Sequence, residues 1–113
     1  LGEAKAQVLH MAARGYTPRP QRTDIPAIGQ TGLALCKPQL HHMRISGQIS
    51  EHDQKIGTKL ACILCGGDLT SLNFVSEQYI MDLEREVFLS LCGEPKTLER
   101  IKHTLKTGKP LRN

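Results

Sequence analysis

The residues best suited to chemistry are two cysteines three apart, Cys62 and Cys65, five histidines, and a pair of closely spaced glutamates. A C-x-x-C supplies half of a structural zinc site, which needs four ligands, usually completed by a second such pair or by two spaced histidines. This chain has no second pair. His41 and His42 are adjacent, and neighbours on a helix point about 100° apart. A redox C-x-x-C belongs at a strand-to-helix junction, whereas Cys62 and Cys65 fall late in an apolar helical pattern. Free cysteine is among the most buried residue types, so both are read as small, reduced, buried side chains. His10, His41, His42, His52 and His103 are scattered over four predicted helices, and no spacing marks out a nucleophile–base pair. They are expected to be solvated surface residues. His52, in a first helical turn, should have its imidazolium disfavoured by the helix dipole. Glu84 and Glu86 flank Arg85. Residues two apart on a helix face different ways, so a solvated polar face is favoured over an acid–base pair.

Phosphate and nucleic-acid signals are weak. Gly66-Gly67 lacks the strand before it and the lysine or further glycines after it that a phosphate loop needs. Gly29-Gln30-Thr31-Gly32 is a G-x-x-G, but the nucleic-acid module that uses one also needs strands. The basic tail from Lys106 to Arg112 has one arginine and no stacking aromatic. Nucleic acid is therefore not the expected partner. The residues alone assign no catalytic, cofactor-binding or metal-binding position.

The elements that would carry these residues are predominantly helical. Residues 1–14 place Ala4, Val8, Met11 and Ala12 on one stripe, with Gly15 as the stop. Residues 16–29 contain Pro18, Pro20 and Pro26 and read as an extended segment. At about fourteen residues it is long for a connection, so it either wraps a surface or joins separately packed pieces. Thr31 can cap a helix with Leu33, Cys36, Leu40 and Met43 on its face, ending at Gly47. Pro38 inside it predicts a kink or a restart near Lys37. Ser50 with Asp53 forms a pattern close to a capping box, opening a helix that carries Ile56, Leu60, Ile63 and Leu64 and ends at Gly66 and Gly67. Gly57 inside it costs about 1 kcal/mol relative to Ala unless a neighbour packs closely there. Residues 68–74 read as a loop.

The best-punctuated stretch follows. Ser76 is a good N-cap. Val75 and Ile80 occupy the positions of a hydrophobic staple, and Glu77 complements the dipole. Ile80, Leu83, Val87, Phe88 and Leu91 form one stripe, and Gly93 should end the helix in the left-handed conformation. Pro95 opens a last helix with Leu98, Ile101 and Leu105 as its apolar face, stopped by Gly108 and Pro110. The expectation is an all-α fold: about five amphipathic helices in a small irregular bundle, with no strand clearly marked, as one domain over residues 1–113.

Composition agrees with that class. Aromatics are few (Tyr16, Phe74, Tyr79, Phe88), with no Trp, so the core must be Leu, Ile, Val, Met and Ala. A domain near this size buries roughly 65% of its unfolded surface. The formal charge of +4 is modest and reads as solubility rather than a nucleic-acid footprint. No signal peptide and no apolar run near the ~20 residues of a membrane span is visible, and a cytoplasmic location is expected.

One resemblance adds function. The pieces DLERE, FLSL, GEPKT, ERI and LKTGKPLRN, preceded in order by ARGYTPRP, RTDIP, IS-x-HD-x-KIG and GGDL, resemble the extreme C-terminus of a family of long bacterial fatty-acid β-oxidation enzymes. These are 3-hydroxyacyl-CoA dehydrogenases that also carry a crotonase-like enoyl-CoA hydratase region. The resemblance implies an NAD-binding Rossmann domain first, a crotonase core later, and this tail after it. None of those motifs is in these 113 residues, so no catalytic residue carries over, and NAD belongs to the parent enzyme only. The expectation is a non-catalytic helical region that packs on the catalytic domains, shapes the acyl-CoA tunnel or forms a subunit contact, including with a second copy. The first residue, Leu1 rather than Met, fits the tail of a longer enzyme. Two other classes stay open: a free-standing helical module for nucleic acid or an acidic partner, and a thiol-redox or metal protein using Cys62 and Cys65.

Overall fold

The structure, a computed structural model, describes residues 1–113. It has five helices, which hold 64% of the chain. In order they are α1 (Gly2–Ala13), β1 (Ile25–Ala27), α2 (Gln30–Ile45), α3 (Glu51–Cys65), β2 (Asn73–Val75), α4 (Glu77–Cys92) and α5 (Pro95–Thr107). The all-α class holds, and two short strands that the sequence did not clearly mark are added to it. They pair antiparallel, with Ile25 opposite Val75 and Ala27 opposite Asn73. The pairing falls inside the extended segment and the loop at 68–74. Both stretches are too short and too mixed in pattern to announce a strand. Pro26 is tolerated because a two-stranded sheet has only edge strands.

The long proline-bearing segment is a strap. Glu77, at the start of α4, accepts hydrogen bonds from the Arg22 backbone N–H at 3.0 Å and from Arg19 at 2.5 Å. Its own N–H donates to the Arg22 carbonyl at 2.8 Å.

The apolar centre lies between α2 and α3, where Leu33, Ala61 and Cys65 pack with Cys36 and Cys62. Gly57 sits where a Cβ would come within 2.8 Å of a Leu40 methyl. That close approach explains a glycine in mid-helix. α2 begins at Gln30 with Gly29 as its N-cap, not Thr31. Gly29 holds φ +77°, and a Cβ there would lie 2.6 Å from the Leu69 carbonyl oxygen, so a side chain is excluded. α2 runs unbroken through Pro38, which corrects the expected restart. Leu33, Cys36 and Leu40 are seated against α3 on both sides of the proline, and this packing outweighs the ~3 kcal/mol a mid-helix proline can cost.

The capping box at Ser50 and Asp53 is present in both directions, and Ser76 caps α4 through the Tyr79 N–H. α4 turns Leu83, Val87 and Leu91 inward, but Phe88 stays 57% exposed and leaves the expected stripe. Gly93 ends α4 at φ −76°, not left-handed. The stop comes from Pro95, which forces the residue before it out of helical geometry; Glu94 sits extended at φ −92°, ψ 126°.

The whole is open. Its solvent-accessible surface is 8611 Å², against roughly 6,200 Å² for a compact protein of this mass. Its radius of gyration is 18.8 Å, against about 13 Å for a compact domain of this length. α1 has no buried residue.

Candidate functional site

The ionisable groups converge in one place, a cleft of about 750 Å³ where the first half of α3 meets the α4–α5 corner. His52 is at its base. The Ser50 capping box fixes the first turn of α3 and so aims His52 at α5, where its Nε2 lies 2.9 Å from the Thr97 hydroxyl. His52 is only 4% exposed, which corrects the expectation of a solvated surface residue. Its pKa is held below the ordinary 6.5, first by burial and then by the Arg100 charge. The downward direction agrees with the sequence reading, but the dipole is not its leading cause. The sequence could not show that α5 would cover this turn.

Lys55 pairs with Glu94 at 2.6 Å, and that hydrogen bond keeps the Glu94 carboxyl below its usual range. The Lys59 ammonium donates to the Ser90 hydroxyl at 2.7 Å. Behind the cleft, Arg100 is a hub. It reaches Asp53 at 2.7 Å, the Asn113 side-chain oxygen at 2.7 Å, the Asn113 carbonyl at 3.2 Å and the Ser50 hydroxyl at 3.3 Å. Hydrogen bonding from the Ser50 N–H and then from Arg100 brings the Asp53 carboxyl down to about 2. Asn113 in turn donates to Glu99 at 2.8 Å and the Lys96 carbonyl at 3.3 Å, folding the last residues back onto α5. Nothing in the spacing of Ser50, Asp53 and Arg100 signals this network, because its members are brought together by tertiary packing.

Chemically, the cleft is a polar joint. The His52–Thr97 contact has the length of a nucleophile–base hydrogen bond. No carboxylate is hydrogen-bonded to the other ring nitrogen, and Lys55 and Lys59 are engaged by Glu94 and Ser90.

The other sequence candidates lie apart from it. Cys62 and Cys65 occupy the last turn of α3, in the apolar seam with Cys36 of α2, and all four cysteines are unpaired. Burial, reinforced by Cys36 and Cys62, pushes the Cys65 thiol up from 9.0, which disfavours the thiolate that redox or metal chemistry needs. No group of three or more His, Cys, Asp or Glu is placed to hold a metal ion. His10, His41 and His42 are exposed and His103 is half-buried on α5. Glu84 and Glu86 are exposed, while Arg85 contacts Asp82 at 3.4 Å. The G-x-x-G backbone is already used: Gly29 N–H donates to the Cys65 carbonyl and Gln30 N–H to the Leu69 carbonyl, each at 2.8 Å. The Gly66 carbonyl accepts from the Tyr79 hydroxyl at 2.9 Å. No helix is long and apolar enough to cross a membrane.

No protein-family model matches the chain, and no solved structure matches it. Among curated proteins, it is similar to the probable 3-hydroxyacyl-CoA dehydrogenase of Bacillus subtilis (strain 168), with 42% identity over 113 residues. The similarity covers 100% of this chain and 14% of that protein, in its C-terminal part.

Proposed function

We propose that this chain is the helical C-terminal region of a longer 3-hydroxyacyl-CoA dehydrogenase, a single helical unit that takes no part in the chemistry and packs on the catalytic body. The observation that carries the reading is identity sustained from the first residue to the last against a small share of a much larger enzyme. Two features support it. The ionisable cluster is a joint between helices, in which Lys55 pairs with Glu94 and Arg100 with Asp53. The surface also exceeds that of a self-contained protein of this size by more than a third. In this reading NAD and the acyl-CoA substrate bind to the parent's catalytic domains, which are the chain's first partners. The parent also carries the hydratase region, serves fatty-acid β-oxidation and works in the cytoplasm. A subunit contact is the second role open to the same surfaces.

The test is enzymatic. The longest polypeptide of the reading frame containing these residues should oxidise a 3-hydroxyacyl-CoA with NAD, and should hydrate an enoyl-CoA. The 113-residue chain alone should do neither. Turnover by the chain alone, or no dehydrogenase activity in the longer polypeptide, overturns the reading.

A further inference from the structure

Three of the four cysteines, Cys36, Cys62 and Cys65, meet in the α2–α3 seam, and all are unpaired. The contacts along the seam give its direction. Cys65 Sγ lies 3.0 Å from the Cβ position of Gly32, and a Leu40 methyl lies 2.8 Å from that of Gly57. Residue numbers rise along α2 as they fall along α3, so the two helices run antiparallel. Each Cα–Cβ bond on a helix leans toward that helix's own N-terminus. Cys36 stands one turn along α2 from Gly32 and leans back toward it. Cys65, opposite Gly32, leans along α3 toward Cys36. The two sulfurs therefore converge, and Cys36 is in side-chain hydrogen-bond contact with Cys65. Cys62 leans the opposite way along the seam from Cys36, and Cys92, at the end of α4, is not packed with them.

The converging thiols differ in access. Cys36 is half-buried, whereas Cys65 is 6% exposed, so a small oxidant meets Cys36 first. Gly32 places no side chain between α2 and the Cys65 sulfur. A disulfide needs such closeness, since its two Cβ atoms stand about 3.8 Å apart.

We propose that Cys36 and Cys65 close an interhelical disulfide when the protein meets hydrogen peroxide, a reversible lock of α2 on α3. In the first step Cys36 attacks the peroxide as the thiolate. An S–O bond forms and the O–O bond breaks; the sulfur is oxidised by two electrons to the sulfenic acid, and the departing hydroxide takes up the thiol proton as water. In the second step Cys65 attacks the Cys36 sulfur. The S–S bond forms, the S–O bond breaks, and the hydroxide leaves with the Cys65 proton as a second water. Because that proton departs with the leaving group, the buried Cys65 is not required to ionise beforehand. In a reducing compartment the bridge is opened again by thiol exchange, with the reductant thiols oxidised in its place.

The test treats the reduced, longest polypeptide of the reading frame with hydrogen peroxide, alkylates the remaining thiols and maps the peptides by mass spectrometry. The expected result is Cys36 joined to Cys65 in at least half of the molecules, Cys62 and Cys92 alkylated, and the bridge lost on addition of dithiothreitol. Cys62→Ser should keep the bridge. Amide exchange in α2 and α3 should slow at least ten-fold on oxidation, and should not change in Cys36→Ser. A bridge from Cys36 to any other cysteine, a bridge between Cys62 and Cys65, a bridge between two copies, or Cys36 left reduced or carried on to the sulfinic acid without a bridge each overturns the pairing. A Cys36–Cys65 bridge that leaves exchange unchanged overturns the lock.

Discussion

α3 carries two seams that solve the same problem in opposite ways. Toward α2 it is apolar and close-packed: Leu33, Ala61 and Cys65 meet, and Leu40 lies on Gly57. Toward α5 it is polar: His52 bonds Thr97, Arg100 bonds Asp53, and Lys55 bonds Glu94. The first seam gains from removing apolar surface from water and stands alone. The second fixes an orientation through directed bonds and leaves Leu105 of α5 largely in solvent. One seam holds two helices together by close apolar packing and the other by directed polar bonds, and the chain contains both.

That contrast can be broken at several points. The largest effect is expected at Gly29→Ala, where a positive φ and backbone oxygens within 2.8 Å leave no room for a Cβ. A loss of about 4 kcal/mol in urea unfolding is expected, combining backbone strain with a steric clash. Leu33→Ala, in the apolar seam, should cost about 3 kcal/mol. Arg100→Met, in the polar seam, leaves the half-buried Asp53 carboxylate unpaired and should cost about 2 kcal/mol, with increased mobility of the last five residues seen by NMR.

The seams should also fail at opposite ends of the pH scale. Asp53 is lowered to about 2 from an ordinary 3.8, so its contribution is complete above pH 4 and disappears as pH falls through 2. It is on the order of 1–2 kcal/mol. His52, also lowered, adds in the same direction, because acid below pH 6.5 charges it preferentially in the unfolded chain. Cys65 is raised above 9.0, so its contribution is complete below pH 9 and is lost as alkali rises through the folded value. Residue-resolved NMR should therefore show α5 loosening first in acid and α2 loosening first in alkali. The acid response should shrink in Asp53→Asn. The smallest effect is expected from Leu105→Ser in the 113-residue chain, under about 0.5 kcal/mol, as for a side chain without a partner.

Much of the scaffold could be read in advance because it rests on local rules. The Ser50–Asp53 box, the Ser76 cap, Pro95 at a helix start and the left-handed Gly66 and Gly108 all lie within four residues of what they control. The two strands escaped notice because three-residue segments carry no periodicity, and their partners lie far apart in the chain. Pro38 did not restart the helix, because packing on α3 offset a local cost. Leu98, Ile101 and Leu105 were correctly grouped as a face, but helical spacing says nothing of which way a face points. His52 and Arg100 gain their roles only through contacts spanning 45 residues or more. Their burial and charge state could not be read from neighbours in sequence.

The account turns on the proposed packing of this helical region, α1 and α5 included, on a body outside these 113 residues. Amide hydrogen exchange, measured on the chain alone and on the longer polypeptide, tests this directly. Protection in α2 and α3 should be equal in the two samples, and α1 and α5 should exchange at least ten-fold more slowly in the longer one. Equal exchange of α1 and α5 in both would contradict it.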